Sequence, residues 1–335
     1  MTPNIFDRAL LAGGGVDSPF SGPAVYFEYS QAANPIADGM ISPVPAERFG
    51  PELYGSGPSR VVPLDLAKFL HVPGPATSPT LCANFARICA GDSLVTRVNA
   101  SSQMFYVLAG QGSTSIEGGV IHWQKGDFFT LPARADAIHR ADEETAFYWV
   151  HDEPLLAYLG AEATERRFEP THYRHDDAER CLAEVAADPE AASRSRVSVL
   201  LANKAMDQTL TMTHVLWTMY GILPEGGLQP PHRHQSVAVD LVLDCRPGCY
   251  TLLGDLDPRG ERLVDVERVD WEPGAAFVTP PGRWHSHHNE SGADAHIIPI
   301  QDAGLHTYLR TLDIRFMSRA EGDRVLAASL PVAVS

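Results

Sequence analysis

Two stretches of this chain repeat one another. The segment GDSLVTRVNASSQMFYVLAGQG, from Gly91, is answered by GGLQPPHRHQSVAVDLVLDCRPG, from Gly226, and KGDFFTLPARADAIHRA, from Lys125, is answered by PGAAFVTPPGRWHSHHN, from Pro273. A fixed internal repeat means one supersecondary unit used twice. In each copy, short runs of Val, Ile, Leu, Phe and Tyr alternate with Gly, Pro and Asp turns at the intervals of all-β sandwiches and barrels. The 335 residues therefore divide into an arm over 1–74 rich in Gly, Pro and Ser, a β domain over 75–160, a connector over 161–206, a second β domain over 207–318 and a tail over 319–335. Within the connector, DDAERCLAEVAAD from Asp176 combines an acidic N-cap with apolar spacing near 3.6, which predicts a single helix.

Charge narrows the partners. With a net charge of −16, the chain would repel a polyanion rather than steer it in, so nucleic acid is not expected. The N-terminal residues lack a basic region followed by an apolar one, and no run of apolar residues is long enough to span a bilayer. A cytoplasmic protein without membrane contact is the expectation. Five cysteines (Cys82, Cys89, Cys181, Cys245 and Cys249) form an odd set without paired metal-site spacing, and read as reduced thiols, a Cys245–Cys249 redox pair being the alternative.

The second copy carries a chemistry the first lacks. Along a strand, side chains at i and i+2 share a face, so His232 and His234 project together while Arg233 points away. A tight turn at Pro280, Pro281 and Gly282 then starts a strand that turns His285 back toward the same pocket. Three imidazoles at one point make a metal site. Spacing alone admits iron, zinc, nickel or manganese. Continuing the parity of His232 and His234, Asp240 faces the same interior, where it could orient a substrate or move a proton.

Gly226, His232 and His234, followed by Gly274, Pro280, Gly282, His285 and Asn289, resemble the two motifs of the cupins, the second of which, G-x5-P-x-G-x2-H-x3-N, is met at every fixed position. That resemblance implies a double-stranded β-helix barrel, and two copies imply an all-β bicupin of two such barrels with an N-terminal arm and a short helical connector. LWTMYGILPEGGLQPPHRHQS and PPGRWHSHHN are most similar to the gentisate, salicylate and hydroxynaphthoate dioxygenases. The likeness implies one iron(II) per chain in the C-terminal barrel, held by His232, His234 and His285, with O2 as co-substrate for opening an aromatic ring. It also implies that Trp217 lines the substrate pocket and that His287, on the strand face of His285, assists oxygen chemistry. The usual cupin glutamate is absent, since its position is Ala238, and three neutral ligands leave the ion its full charge.

Departures from that family concern the substrate. Asp240 stands where those enzymes carry an arginine that grips a carboxylate, and Gly221 where they carry a substrate-contacting glutamine. A carboxylate facing a benzoate-like anion in a low-dielectric pocket repels it, so gentisate itself is not the expected substrate. A strand bulge turning Asp240 outward, or an arginine from elsewhere pairing with it, would change that reading. In the first copy, Arg97, Asn99 and Gln103 occupy the positions of two histidines and a glutamate, and Ala137 that of the third ligand unless an insertion brings in His139; no metal is expected there. Arg97, with Gln103 and His139, could instead line an organic-ligand pocket. A ring-cleaving dioxygenase acting on a small aromatic is the leading expectation. The alternatives are a cupin isomerase or lyase with Asp240 as base, and a non-catalytic small-molecule binder. Apolar outer strand faces predict a homodimer or homotetramer.

Overall fold

The computed structural model describes residues 5–12, 20–191, 194 and 196–329. The chain forms two units, Met1–Val44 and Pro45–Ser335. In the first, Leu11–Ala12 pairs antiparallel with Val25–Tyr26, and the one-turn helix Tyr29–Ala32 is capped by the Glu28 carboxylate, which accepts from the N–H groups of Ser30 and Gln31.

The larger unit contains two barrels, each of two antiparallel sheets, with the same core strand order. In the earlier barrel one sheet runs Thr171–Tyr173, Phe128–Pro132, Ser102–Ala109, Thr145–His151, Cys82–Ile88 and Arg60–Pro63. The other runs Ser93–Thr96, Ala137–Ala141, Gln111–Ile116 and Gly119–Gln124. The later barrel repeats this with Val197–Leu201, Trp217–Leu223, Ala295–Gln301, Ala238–Asp244, Ala276–Thr279 and Arg48–Phe49 in one sheet. Its other sheet is Leu263–Asp270, Cys249–Leu256, Trp284–Asn289, Leu228–Arg233 and Arg315–Phe316. This is the all-β, two-barrel architecture that the cupin resemblance, together with the internal repeat, implied.

Flanking segments are woven into the sheets. Arg48–Phe49 adds to Ala276–Thr279 of the later barrel, and Arg60–Pro63 to Cys82–Ile88 of the earlier one. Between the barrels lies the helix His175–Ala186, which buries Ala178 and Leu182. Asp176 and Asp177 fall in its first turn, where a carboxylate favours the exposed N–H groups, but Arg174 rather than an aspartate takes the N-cap position. The tail contains the helix Arg319–Ser329, and residues 330–335 lie outside the described residues. Among the described residues no helix is long and apolar enough to cross a membrane.

Strand register aligns the two copies residue by residue. Thr96 stands opposite Ala137 in the earlier barrel as His232 stands opposite His285 in the later one. Phe105 is opposite Phe129, and Asp240 is opposite Phe277. The earlier lumen is consequently filled with rings: Phe105 stacks on Phe129 at 4.7 Å and on Trp149 at 5.4 Å, with Phe147 and Trp123 closing the cluster. In the later lumen the matching central position is a carboxylate. Truncating Phe105 to Ala should therefore cost about 3–5 kcal/mol of stability, since the stacked neighbours cannot collapse into the void; urea denaturation showing a loss below about 1 kcal/mol would contradict a packed lumen.

Candidate metal centre

His232, His285 and His287 each bring a ring nitrogen within 4.8 Å of the other two, and all three are buried. Their strands explain the convergence: Leu228–Arg233 and Trp284–Asn289 pair with His232 directly opposite His285, and the left-handed turn at Gly282 (φ +78°) starts the second strand. His234 sits just beyond the first strand, with its ring centre 5.0 Å from that of His285 and 6.4 Å from that of His232. Two sets of three are thus available, sharing His232 and His285.

Hydrogen bonds at the far ring nitrogens separate them. Nδ1 of His232 lies 2.9 Å from the Pro230 carbonyl, Nδ1 of His234 lies 2.8 Å from the Ser236 carbonyl, and Nδ1 of His285 lies 3.1 Å from the Arg283 carbonyl. A carbonyl only accepts, so Nδ1 carries the proton in each and Nε2 is left with a lone pair. Nδ1 of His234 also lies 3.1 Å from the Ser236 hydroxyl, which donates to Gln301 Oε1 at 2.8 Å. His287 differs in that its Nδ1 meets no carbonyl but the Thr251 hydroxyl at 2.8 Å, and that hydroxyl also receives the Trp271 indole N–H at 2.9 Å. Burial holds all four rings neutral. It pushes His232 down to about 3 and His234 to about 4, and depresses His285 and His287 well below the ordinary histidine range.

Asp240 is 2% exposed, on the strand face opposite Phe277 and beside Val242, both core residues of this barrel. Thr279 Oγ1 donates to its Oδ2 at 2.6 Å. Burial raises its pKa to about 7, against the pull of the Thr279 hydrogen bond and of Arg196. Arg196, just before the strand Val197–Leu201, was not anticipated from the sequence. Its Nη2 donates to the Ile297 carbonyl at 2.8 Å, while its Nε is buried without a protein partner. Its positive charge lowers the pKa values of Asp240, His232 and His287. Nothing in the repeat flags it, because it precedes the repeated unit. Gln229 was also missed; it is buried opposite His287, with its amide nitrogen 3.5 Å from Nε2 of His232.

Trp217 is half-buried and pairs across its strand with Gln301, which in turn faces Ala238. Gly221 is glycine because a Cβ there would lie 2.5 Å from the Ser198 Cβ, so the adjoining strand leaves no room for a glutamine. Arg97 corrects the sequence reading. Its side chain is 74% exposed and paired with Asp136 at 2.7 Å, away from the histidine cluster. The physical reason is register: Thr96, one residue earlier, is the inward position opposite Ala137, and a shift of one residue exchanges the faces of a strand. His139 is likewise no pocket residue, being wholly buried among Phe105, Phe129 and Phe147. All five cysteines are free, and burial raises Cys245 to about 12, which disfavours its thiolate.

No family model matches the chain. Among curated proteins it is 26% identical over 174 residues to gentisate 1,2-dioxygenase 1 of Aquipseudomonas alcaligenes, covering 49% of this chain and 46% of that one. It is 25% identical over 158 residues to a 1-hydroxy-2-naphthoate 1,2-dioxygenase of Nocardioides sp. (strain KP7), covering 47% of this chain and 38% of the relative. It is 30% identical over 90 residues to a 5-nitrosalicylic acid 1,2-dioxygenase of Bradyrhizobium sp., covering 26% of this chain and 44% of the relative. The chain thus spans less than half the length of the curated relatives it matches. Salicylate 1,2-dioxygenase from Pseudoaminobacter salicylatoxidans, solved as adducts with gentisate, superposes with a TM-score of 0.67 at 14% identity, over 88% of this chain and 91% of that one. Another structure of that enzyme gives 0.63 at 15% identity, over 82% and 88%.

Asp240 supplies a test by pH. Its folded value near 7 lies above the ordinary 3.8, so the fold penalises the charged carboxylate above pH 7 and is relieved as the pH falls toward 4. The histidines act oppositely below their ordinary 6.5, a trend common to wild type and Asp240→Asn. Wild-type stability relative to Asp240→Asn should therefore rise between about pH 8 and about pH 5 in parallel denaturation series; a flat or falling difference would mean that Asp240 is not held in a desolvated lumen. The chain has the two-barrel fold of these solved structures and is similar in sequence to gentisate, salicylate and hydroxynaphthoate dioxygenases.

Proposed function

We propose that this chain is an iron(II)-dependent dioxygenase that inserts O2 into the ring of a small hydroxylated aromatic, with His232, His234 and His285 holding the ion in the later barrel. The observation that carries the reading is the common second contact of these three side chains: each Nδ1–H goes to a backbone carbonyl, which turns an Nε2 lone pair to the lumen. Proximity alone favours His287 over His234. The contacts at Nδ1 support His234, because a hydroxyl that already accepts from Trp271 is best satisfied by donating to His287, which leaves that ring an N–H where a ligand needs a lone pair. An iron(II) ion held by three neutral imidazoles supplies open positions and full charge for a chelating phenolate and dioxygen.

The remaining work falls to the chain's own groups. His287 donates a hydrogen bond to an oxygen of the bound reactants, and Trp217 walls the substrate side. Arg196, whose Nε has no protein partner, contributes a positive charge, and Asp240, close enough to feel that charge, offsets it. The site therefore sets one half-buried cation against one buried carboxylate, a weaker attractor of a benzoate-like anion than a lone guanidinium. We infer that the preferred substrate differs from gentisate. Assembly as a homodimer or homotetramer is part of the same proposal, supported by Val95 and Ile138, which are exposed and paired side by side on the outer sheet of the earlier barrel.

Loaded with iron(II) under argon and then exposed to oxygen, the protein should couple O2 uptake to ring-cleavage absorbance with at least one phenol of a panel that varies the carboxylate. His285→Ala should lose both iron and turnover. His287→Gln should keep iron and lose turnover by about 10–100-fold, the usual cost of a partner beyond the ligand shell. Turnover that persists under argon, or with zinc in place of iron, would instead favour isomerase or lyase chemistry.

A further inference from the structure

Thr251 stands between a donor and an imidazole. The Trp271 indole N–H donates to its Oγ1 at 2.9 Å, and the same oxygen lies 2.8 Å from Nδ1 of His287. All three side chains are buried, and the hydroxyl has no other partner among the described residues. Two proton arrangements are conceivable. If His287 carried its proton on Nδ1, the Thr251 O–H would be left buried and unpaired, at the usual cost of an orphaned donor. If the hydroxyl donates to Nδ1, every group is satisfied and the ring proton sits on Nε2.

We propose that Trp271 and Thr251 are positioning residues that lock His287 in the Nε2–H form, so that it presents a hydrogen-bond donor, and not a further lone pair, beside the metal ligands. The earlier barrel carries the same relay. There Trp123 donates to Thr114 Oγ1 at 2.8 Å, and that oxygen lies 2.8 Å from Nδ1 of His139. Its Nε2 then ends on Thr96 Oγ1 at 2.9 Å, the residue in register with His232. In the later barrel no protein group among the described residues accepts from Nε2 of His287, so its donor is left for a ligand. One relay is closed by a threonine; its twin opens on the lumen.

The role assigned to His287 in turnover rests on the dioxygenase reading, but the tautomer does not, and the test separates them. Metal-free protein labelled with 15N-histidine should show His287, assigned by its loss in His287→Gln, protonated at Nε2 in long-range 1H–15N spectra. Thr251→Ser should keep that form. Thr251→Val should shift it toward the Nδ1–H form, and lower kcat on a cleaved phenol by about 10–100-fold with KM and iron content unchanged. Thr114→Val, the matching change in the earlier barrel, should alter stability but not kcat. A wild-type His287 protonated at Nδ1, or a Thr251→Val protein with unchanged tautomer and unchanged kcat, would overturn the proposal. Absence of any ring-cleaving turnover, with the Nε2–H form intact, would sink only the reaction.

Discussion

The constraint on which the later barrel depends is the hydrogen bond from each of three imidazoles to a main-chain carbonyl. Buried rings that lack a metal must be neutral, and a neutral ring has one donor and one acceptor. Tying the donor to Pro230, Ser236 and Arg283 disposes of half of each ring's polarity locally and aims the other half inward. The fold around these rings provides the rest of what a metal requires: an antiparallel pairing that sets His232 against His285, and a turn at Gly282 that only a residue tolerant of positive φ adopts readily.

Comparing the two barrels shows how one repeated unit keeps a polar lumen and its twin a packed one. The positions of His232 and His285 are Thr96 and Ala137 in the earlier barrel, and the position of Asp240 is Phe105. Those three differences replace a polar lumen with a stack of rings, which stabilises the barrel but closes it. The tryptophan–threonine–histidine relay survives in both. Its retention in a lumen filled with aromatic side chains is explained by satisfaction of buried polar groups alone, since removing one member would orphan the next.

Much of this was legible in the sequence. Period-two patterning, turn residues and the repeat gave two β domains, and the cupin resemblance gave their barrel form. Asp240 is buried as expected, though Leu228–Arg233 and Ala238–Asp244 are separate strands of different sheets, so no single strand parity carries it. What parity could not supply was the starting register of the degenerate strand. Counting from the motif put Arg97 inward, whereas pairing puts Thr96 there, and a one-residue error inverts every face. Arg196 escaped because it comes from the connector, where no periodic signal fixes its direction. Thr251 and Trp271 had a signal that went unused: Trp123 and Trp271 stand at the same distance before the turn glycines Gly126 and Gly274. The contact partners of Nδ1, which separate His234 from His287 as ligands, are backbone carbonyls and a side chain brought together only by folding.

Anomalous diffraction at the iron edge, from crystals grown anaerobically with iron(II), reads the ligand set itself. One peak per chain is expected, in the later barrel, bound by Nε2 of His232, His234 and His285 with Nε2 of His287 outside bonding distance. A peak ligated by His287 in place of His234, or one seated in the earlier barrel, would contradict that assignment.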